Sequence, residues 1–221
     1  MIESLVGLKR ADIFLQGLVS WWPLNGTLQD IGPAKRHGSN GGASSTTFKN
    51  RVCTRLNGSS YVAIPSFAIG VGPWTFSTWI AGVDWITSYS HLFSAATQST
   101  FALKVSKPFG STPGGVPYIH QSTFSSQVGQ TAMALNTWYM VSFTYDGNNS
   151  IRLYVNGVLD STFTVNKFTV SASTFRIGNS AETSEYTNGY QADLRYWNRL
   201  LSGVELKRLY DETYIAAVSM I

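Results

Sequence analysis

The stretch that decides the fold is NTWYMVSFTYDGNNSIRLYVNGVL, residues 136–159. Its β-branched and aromatic residues predict two strands, over 138–145 and 150–155, separated by a polar turn. In the second strand, apolar side chains occupy alternate positions, as a strand with one buried side requires. Asn156-Gly157 follows directly, and because this pair readily takes the positive φ angles of a type I′ turn, we expect the chain to turn back in a tight hairpin.

Outside this stretch the chain repeats the same pattern of short apolar runs between clusters of Gly, Asn, Ser and Pro, which is typical of all-β proteins. Residues 106–136 have no firm period, so we expect a long loop there, in a position that can carry function. Further strands are predicted at 18–22, 53–56, 61–64, 74–81, 91–95, 101–105, 116–120, 175–178 and 189–197.

One helix is predicted near the end of the chain, over residues 202–213. Ser202 can cap its first turn, while Glu205, three residues on, can reach back to the cap, which is the capping-box arrangement. We expect this helix to pack across the molecule as a closing clasp. Three of its apolar side chains share one face: Leu206, Leu209 and Tyr210.

The composition indicates one globular domain with a large core. The chain has 221 residues, of which 43% are hydrophobic and 13% charged. All-β sandwiches of roughly 200 to 250 residues commonly fold as one unit. Cys53 is the only cysteine, so an intrachain disulfide and a multi-cysteine zinc site are both excluded. We expect this cysteine to act as a small buried apolar residue.

The distribution of charge argues against a nucleic-acid partner. The 16 basic residues outnumber the 12 acidic ones, but the adjacent basic pairs, Lys9-Arg10, Lys35-Arg36 and Lys207-Arg208, are scattered along the chain and form no basic stripe. A nucleic-acid groove would need clustered basic residues interleaved with stacking aromatics. No apolar run is long enough to cross a bilayer, so membrane insertion is not expected either.

The order of several sequence blocks resembles the laminin-G-like jelly-roll family of the concanavalin A-like lectin and glucanase superfamily. This resemblance covers roughly residues 17–212 and implies an all-β, two-sheet antiparallel β-sandwich with one short C-terminal α-helix. HGS at 37–39 also fits the pattern. The six main blocks are GLVSWWPLNGTLQD at 17–30, LNGSSYVAIP at 56–65, WTFSTWI at 74–80, the stretch at 136–159, FRIGN at 175–179 and ADLRYWNRLLSGVELKRLY at 192–210.

The resemblance also implies a calcium site. In this family the regions that end the first block and begin the last block lie together, and an Asp from each can ligate the ion. The matching residues here are Asp30 and Asp193, and backbone carbonyls near Gly38 could complete a shell of the hard oxygens that calcium prefers. Ala192 departs from the pattern, because many relatives carry a second acidic residue at that position.

Two structural roles compete with this calcium hypothesis. Asp30 can serve as a turn former, because Asp side chains accept hydrogen bonds from nearby backbone amides. Asp193 can instead pair with Arg195 or Arg36. Both alternatives remain open at the level of the sequence.

The pattern of acidic residues argues against catalysis. Glycanases of the superfamily carry two Glu flanking an Asp at alternate positions of one strand, and retaining hydrolysis needs carboxylates about 5 Å apart. No Glu of this chain has such a strand partner two residues away, and no nucleophile elbow occurs. We therefore expect no catalytic residues. The five Glu residues are Glu3, Glu182, Glu185, Glu205 and Glu212.

The first functional hypothesis is a lectin-like module that recognises a glycan or surface polysaccharide. Aromatic rings would stack on sugar faces, while polar groups fix the hydroxyls. Aromatic residues in or near loops are the candidates, although most Trp and Tyr residues of such a chain belong to the core. The candidate ligand-binding residues are Trp85, Tyr89, Phe109, Tyr118 and Tyr186.

The second hypothesis is a structural, decoration or attachment protein of a phage or virus particle, acting through contacts with capsid or tail proteins. We divide the chain into an N-terminal arm at 1–16, the jelly-roll domain at 17–213 and a tail at 214–221. The apolar arm lies outside the family match and could anchor a partner or lie along the sandwich. No secretory signal is visible in it, so either this is a mature form or the protein leaves its cell by another route, such as on a virus particle. In both cases we expect an extracellular or virion-surface location.

Overall fold

The structure is a computed structural model that describes residues 13–85, 88–95, 100–180 and 185–218. These residues form two antiparallel sheets and one C-terminal helix, which confirms the predicted β-sandwich. Strands are numbered in chain order. The eight-stranded sheet holds β1 (Leu18–Trp22), β3 (Ser44–Phe48), β4 (Arg51–Asn57), β6 (Trp74–Asp84), β11 (Tyr139–Tyr145), β12 (Ser150–Val155), β13 (Val158–Thr164) and β15 (Asn188–Trp197). The seven-stranded sheet holds β2 (Ser39–Gly41), β5 (Tyr61–Ile69), β7 (Ser90–Ala95), β8 (Phe101–Val105), β9 (Pro117–Gln121), β10 (Phe124–Val128) and β14 (Val170–Ile177).

The order of strands places distant parts of the chain side by side. The first sheet runs β13-β12-β11-β6-β15-β4-β3, with β1 beside β15, and the second runs β10-β9-β8-β7-β14-β5-β2. Each predicted strand corresponds to an observed one. The long loop expected over 106–136 is interrupted by β9, which matches the strand predicted at 116–120, and by β10, which was not predicted. The polar strands β2, β3 and β10 escaped prediction since their sequences carry little apolar alternation.

The predicted hairpin is confirmed. Val155 pairs with Val158 across a two-residue turn, and φ is 53° at Asn156 and 75° at Gly157. These positive angles are those of a type I′ turn, which matches the twist of the flanking strands. A Cβ at Gly157 would lie 2.6 Å from the Cα of Lys207 in the C-terminal helix. The turn therefore needs glycine both for its conformation and for the close approach of the helix.

Two apolar clusters stabilise the sandwich. The larger one fills the space between the sheets, and the smaller one covers the outer face of the eight-stranded sheet. Because successive side chains point to opposite faces of a strand, β11 contributes Val141 and Phe143 to the first and Met140 to the second. Cys53 is fully buried in the second cluster, as expected of a small apolar residue.

The C-terminal helix spans Gly203–Val218 and begins with the predicted capping box. The amide of Ser202 donates to Glu205 Oε2 at 2.8 Å, and the amide of Glu205 donates to Ser202 Oγ at 3.2 Å. Leu206 and Leu209 pack into the outer cluster with Trp79 of β6. The helix therefore covers one face of one sheet and is not a clasp across both. It also extends beyond residue 213 into the predicted tail.

The described end of the N-terminal arm lies along the same outer face. Trp197 Nε1 donates to the carbonyl of Phe14 at 2.7 Å. Arg199 donates to the carbonyls of Ile13 and Gln16, each at 2.7 Å. Residues 1–12 of the arm lie outside the described residues. No helix in the described ranges is long and apolar enough to cross a membrane.

Candidate functional site

A pocket of about 450 Å³ at the β10 edge of the seven-stranded sheet brings together three of the predicted ligand-binding aromatics, Tyr89, Phe109 and Tyr118. We call it the rim pocket. Its remaining lining residues supply hydroxyl groups and one aliphatic side chain. They are Ser106, Thr112, Ser126 and Val128.

The sheet register and a folded loop build this pocket. Tyr118 of β9 lies directly opposite Val128 of β10. The loop after β8 is pinned by Ser106, whose Oγ donates to the carbonyl of Pro113 at 2.9 Å. Phe109 lies at the tip of this loop and is 72% exposed, so its ring stands free at the mouth of the pocket.

The aromatic wall of the pocket carries positive charge at its edge. The rings of Tyr89 and Tyr118 meet edge to face, with centroids 5.6 Å apart. Lys107 Nζ lies 5.2 Å from the centroid of Tyr89, and Lys104 Nζ lies 5.4 Å from the same centroid. Cations at this range are attracted by the negative face of an aromatic ring. The pocket therefore combines aromatic surface with basic groups.

An ion network lies beneath the pocket and was not predicted from the sequence. His91, Lys104 and Tyr118 form one row across β7, β8 and β9 on the outer face of the sheet. Glu185 reaches this row from a loop: its Oε2 accepts from Lys104 Nζ at 2.8 Å and lies 3.1 Å from His91 Nε2. The sequence offered no signal for this contact, because Glu185 is more than 80 positions from Lys104.

The protonation states of the network follow from burial and hydrogen bonding. Burial lowers the pKa of His91 to about 4, so its imidazole is neutral at pH 7. Burial alone would raise the pKa of Glu185, but hydrogen bonds from His91 and Lys104 outweigh it and the pKa falls to about 2. Burial, and then the Glu185 charge, raise the pKa of Tyr118. Burial also lowers the pKa of Lys104, while the hydrogen bond and charge of Glu185 oppose that fall, so the network pairs the carboxylate with the amino group of Lys104.

The arrangement suits binding better than acid–base chemistry. The lining residues of the rim pocket include no Asp or Glu. The nearby carboxylate of Glu185 is engaged by two partners, and the low pKa makes it a poor general acid. Glu205 caps the helix, and Glu212 pairs with Arg208. Glu3 and Glu182 lie outside the described residues, and the expectation of no catalytic residues stays a prediction.

The structure corrects the prediction for Trp85. Its side chain is only 3% exposed and packs into the main core, so it offers no ring face to a ligand. A Cβ at Gly82 would clash with the Trp85 ring, which shows how closely the backbone encloses it. Tyr186 pairs with Asn179 in an isolated bridge and is not among the residues that line the rim pocket. Its predicted role in binding stays a prediction.

The two Asp residues of the calcium hypothesis both accept hydrogen bonds from Trp21, Asp30 from its backbone amide and Asp193 from its indole. The Asp30 carboxylate accepts backbone hydrogen bonds from Trp21, Gly32 and Arg36, each at 2.8 Å. Asp193 accepts from Trp21 Nε1 at 2.6 Å. Asp30 is therefore a turn former in this arrangement, as its alternative role proposed.

Asp193 is also engaged, because Arg195 donates to both of its carboxylate oxygens at 2.8 and 2.9 Å. A Cβ at Gly38 would lie 2.6 Å from Val62 Cγ1, so glycine is required there for packing. No group of three or more His, Cys, Asp or Glu in the described ranges could hold a metal ion. With both carboxylates engaged by protein donors, these residues do not fit a calcium ion in this arrangement. Calcium addition tests the site that the family resemblance implies.

Comparison with known proteins identifies the fold family. A laminin G family model, described as the concanavalin A-like lectin/glucanases superfamily, matches residues 56–207. Domain 4 of AbnA, an extracellular GH43 arabinanase from Geobacillus stearothermophilus solved in complex with arabinotriose, is similar at 18% identity and a TM-score of 0.72. That alignment covers 87% of this chain and 98% of the arabinanase domain.

Two toxin domains share the same fold. The binding domain of botulinum neurotoxin serotype D/C is 14% identical with a TM-score of 0.70, over 90% of this chain and 52% of that domain. The binding domain of Paraclostridial Mosquitocidal Protein 1 is 12% identical with a TM-score of 0.72, over 90% of this chain and 53% of that domain. The chain thus spans about half the length of these toxin domains. No curated protein sequence matches it.

Proposed function

Because the chain belongs to the concanavalin A-like lectin/glucanases superfamily, we propose that it is a non-catalytic, lectin-like module that binds a glycan in the rim pocket. The observation that carries the proposal is the convergence of Tyr89, Phe109 and Tyr118 on one cavity of about 450 Å³. Aromatic rings offer apolar faces to the C–H surfaces of sugars, and a few placed polar groups give such a site its orientation.

The polar groups of the pocket suit hydroxyl recognition. Ser106, Thr112 and Ser126 bring hydroxyls that both donate and accept hydrogen bonds. His120 Nδ1 lies 3.2 Å from Ser126 Oγ and orients that hydroxyl. The arabinotriose complex of the similar arabinanase domain supports a saccharide ligand for a sandwich of this shape. Such a module would act at an extracellular or virion surface, where polysaccharides are found.

A glycan array followed by calorimetry on the best-bound saccharide tests this function. Phe109 is 72% exposed, so Phe109→Ala should leave the melting temperature unchanged. Burying a Phe side chain against a ligand contributes about 1.5 to 3 kcal/mol. The variant should therefore bind the saccharide about 10- to 100-fold more weakly. Val204→Ala, at a helix position that is 80% exposed, is the control and should bind as the wild type does.

Two results would overturn the proposal. One is a wild-type protein that binds no saccharide on the array; the other is a Phe109→Ala protein whose affinity equals that of the wild type. A silent array combined with specific association to capsid or tail material would favour the attachment role, in which protein contacts replace glycan contacts.

A further inference from the structure

A second aromatic cavity lies on the outer face of the eight-stranded sheet, beside the C-terminal helix. Its volume is about 490 Å³, similar to that of the rim pocket, and it is formed by different strands. We call it the Arg51 groove. The lining residues that matter here are Lys49, Arg51, Trp79, Trp138, Tyr210 and Tyr214.

Local structure explains how these side chains meet. Lys49 and Asn50 form the two-residue turn between β3 and β4, with φ of 45° and 63°, so Lys49 stands at one end of the groove. Trp79 projects from β6 toward the helix and stacks on Tyr210, with centroids 5.4 Å apart. Tyr214 lies one helical turn further and is 48% exposed. The groove therefore has a rigid aromatic floor and an exposed aromatic wall.

Arg51 is a cation without an acidic partner in this groove. Its guanidinium carbon lies 4.0 Å from the Trp79 ring and 5.5 Å from the Trp138 ring. Its Nη2 donates to the carbonyl of Thr213 at 3.0 Å, while its Nε is buried and has no hydrogen-bond partner among the described residues. No carboxylate in the described ranges lies within ion-pair distance of it. A buried donor left without a partner costs free energy, so the guanidinium group is stabilised by any arrangement that brings an acceptor oxygen to it.

The charges around the groove select the ligand. Lys49 and Arg51 line it, and no Asp or Glu does. Asp193 interacts electrostatically with Arg51 but lies beyond ion-pair distance, and its carboxylate forms an ion pair with Arg195. An arginine fork flanked by aromatic rings matches a planar carboxylate attached to a ring with an apolar face.

We propose that the Arg51 groove is a second binding site, specific for a sugar that bears a carboxylate. The carboxylate contacts Arg51 and Lys49, while the face of the sugar ring packs on Trp138 and Tyr214. The inference rests on the proposed saccharide-binding function for the class of ligand, but it uses a surface separate from the rim pocket.

Calorimetry with trigalacturonate and with its carboxyl-reduced, neutral counterpart tests the inference. The wild type should bind trigalacturonate at least about tenfold more tightly, since hydrogen bonds to a charged group are stronger than neutral ones. Arg51→Gln should remove this preference, and Lys49→Gln should reduce it. Tyr214→Ala should weaken both probes, because it removes packing and no charge. Val204→Ala is the control, outside both pockets.

Arg51 also contacts the helix through Thr213, so Arg51→Gln could lower the melting temperature. In that case Lys49→Gln and Tyr214→Ala test the inference, because neither of these side chains has a hydrogen bond to the helix backbone in the described structure. Lys49→Gln should reduce the preference for trigalacturonate, and Tyr214→Ala should weaken the binding of both probes. Equal affinity of the wild type for the two probes, or binding of neither, overturns the inference. So does a preference that survives Arg51→Gln. If Phe109→Ala removes the preference and Arg51→Gln does not, the acidic subsite lies in the rim pocket, and the proposed function stands without this inference.

Discussion

Glu185→Gln removes the carboxylate from the ion network beneath the rim pocket and keeps the size of the side chain. Lys104 is only 4% exposed, and the side chain of Glu185 is 23% exposed. Removing one partner of a buried ion pair costs about 3 to 5 kcal/mol, because the other charge stays buried. Since Glu185 is partly exposed, solvent screens the pair, and we expect a loss of about 2 to 4 kcal/mol in the free energy of unfolding.

The pH dependence of stability gives the same network a second test. The pKa of Glu185 is lowered to about 2, so its contribution is present above the unfolded value of about 4.3 and is lost as pH falls toward 2. The pKa of His91 is lowered to about 4 in the folded protein. Between about pH 6.5 and 4, His91 is therefore protonated in the unfolded chain but neutral in the folded protein, so stability falls as pH falls through this range. The free energy of unfolding of the wild type should therefore fall throughout acidification from about pH 6.5. In Glu185→Gln the fall below about pH 4.3 should be smaller, because the contribution of Glu185 is removed while those of Asp146, Asp160 and Glu205, whose pKa values are also lowered, remain.

Urea unfolding followed by tryptophan fluorescence at pH 7 measures the loss of stability, and the same measurement repeated at lower pH values measures its pH dependence. The double variant Lys104→Met/Glu185→Leu removes both charges and should be more stable than Glu185→Gln, because no buried charge is left without its partner. The reasoning is refuted if Glu185→Gln lies within about 0.5 kcal/mol of the wild type, the range of an ordinary surface substitution. It is also refuted if the double variant is the less stable of the two.

Three further predictions concern the turn, the helix cap and calcium. Gly157→Ala should lower the free energy of unfolding by about 2 kcal/mol, because a residue with a side chain is strained at a φ of 75° and its Cβ would lie 2.6 Å from the helix backbone. A Cβ at Gly70 would meet nothing within 4 Å, so Gly70→Ala should be neutral in the same urea measurement. Ser202→Ala should cost about 1 kcal/mol by removing the cap, and an unchanged unfolding midpoint would contradict that role. Adding calcium should leave the melting temperature unchanged, because Asp30 and Asp193 are engaged by protein donors; a rise that depends on calcium concentration would restore the family's metal site.

Several features of the fold could be predicted because their causes are local. Three of them depend on residues only a few positions apart: the Asn156-Gly157 turn, the Ser202 to Glu205 capping box and the apolar alternation of β12. The order of family blocks then predicted the sandwich itself. Residues 106–136 were harder, because β10 is an edge strand whose pairing depends on β9 and not on its own apolar content.

The sequence by itself determined the β-sandwich, its tight turn, its helix cap and the lack of a strand-borne carboxylate pair. Only the tertiary structure decided which aromatic residues stay accessible, since it buried Trp85 in the core and left Phe109 at the mouth of the rim pocket. It also joined Glu185 to Lys104 and placed Arg51 between two tryptophans. Burial and charge pairing depend on strands that are distant in the chain and adjacent in the sheet, so no local pattern encodes them.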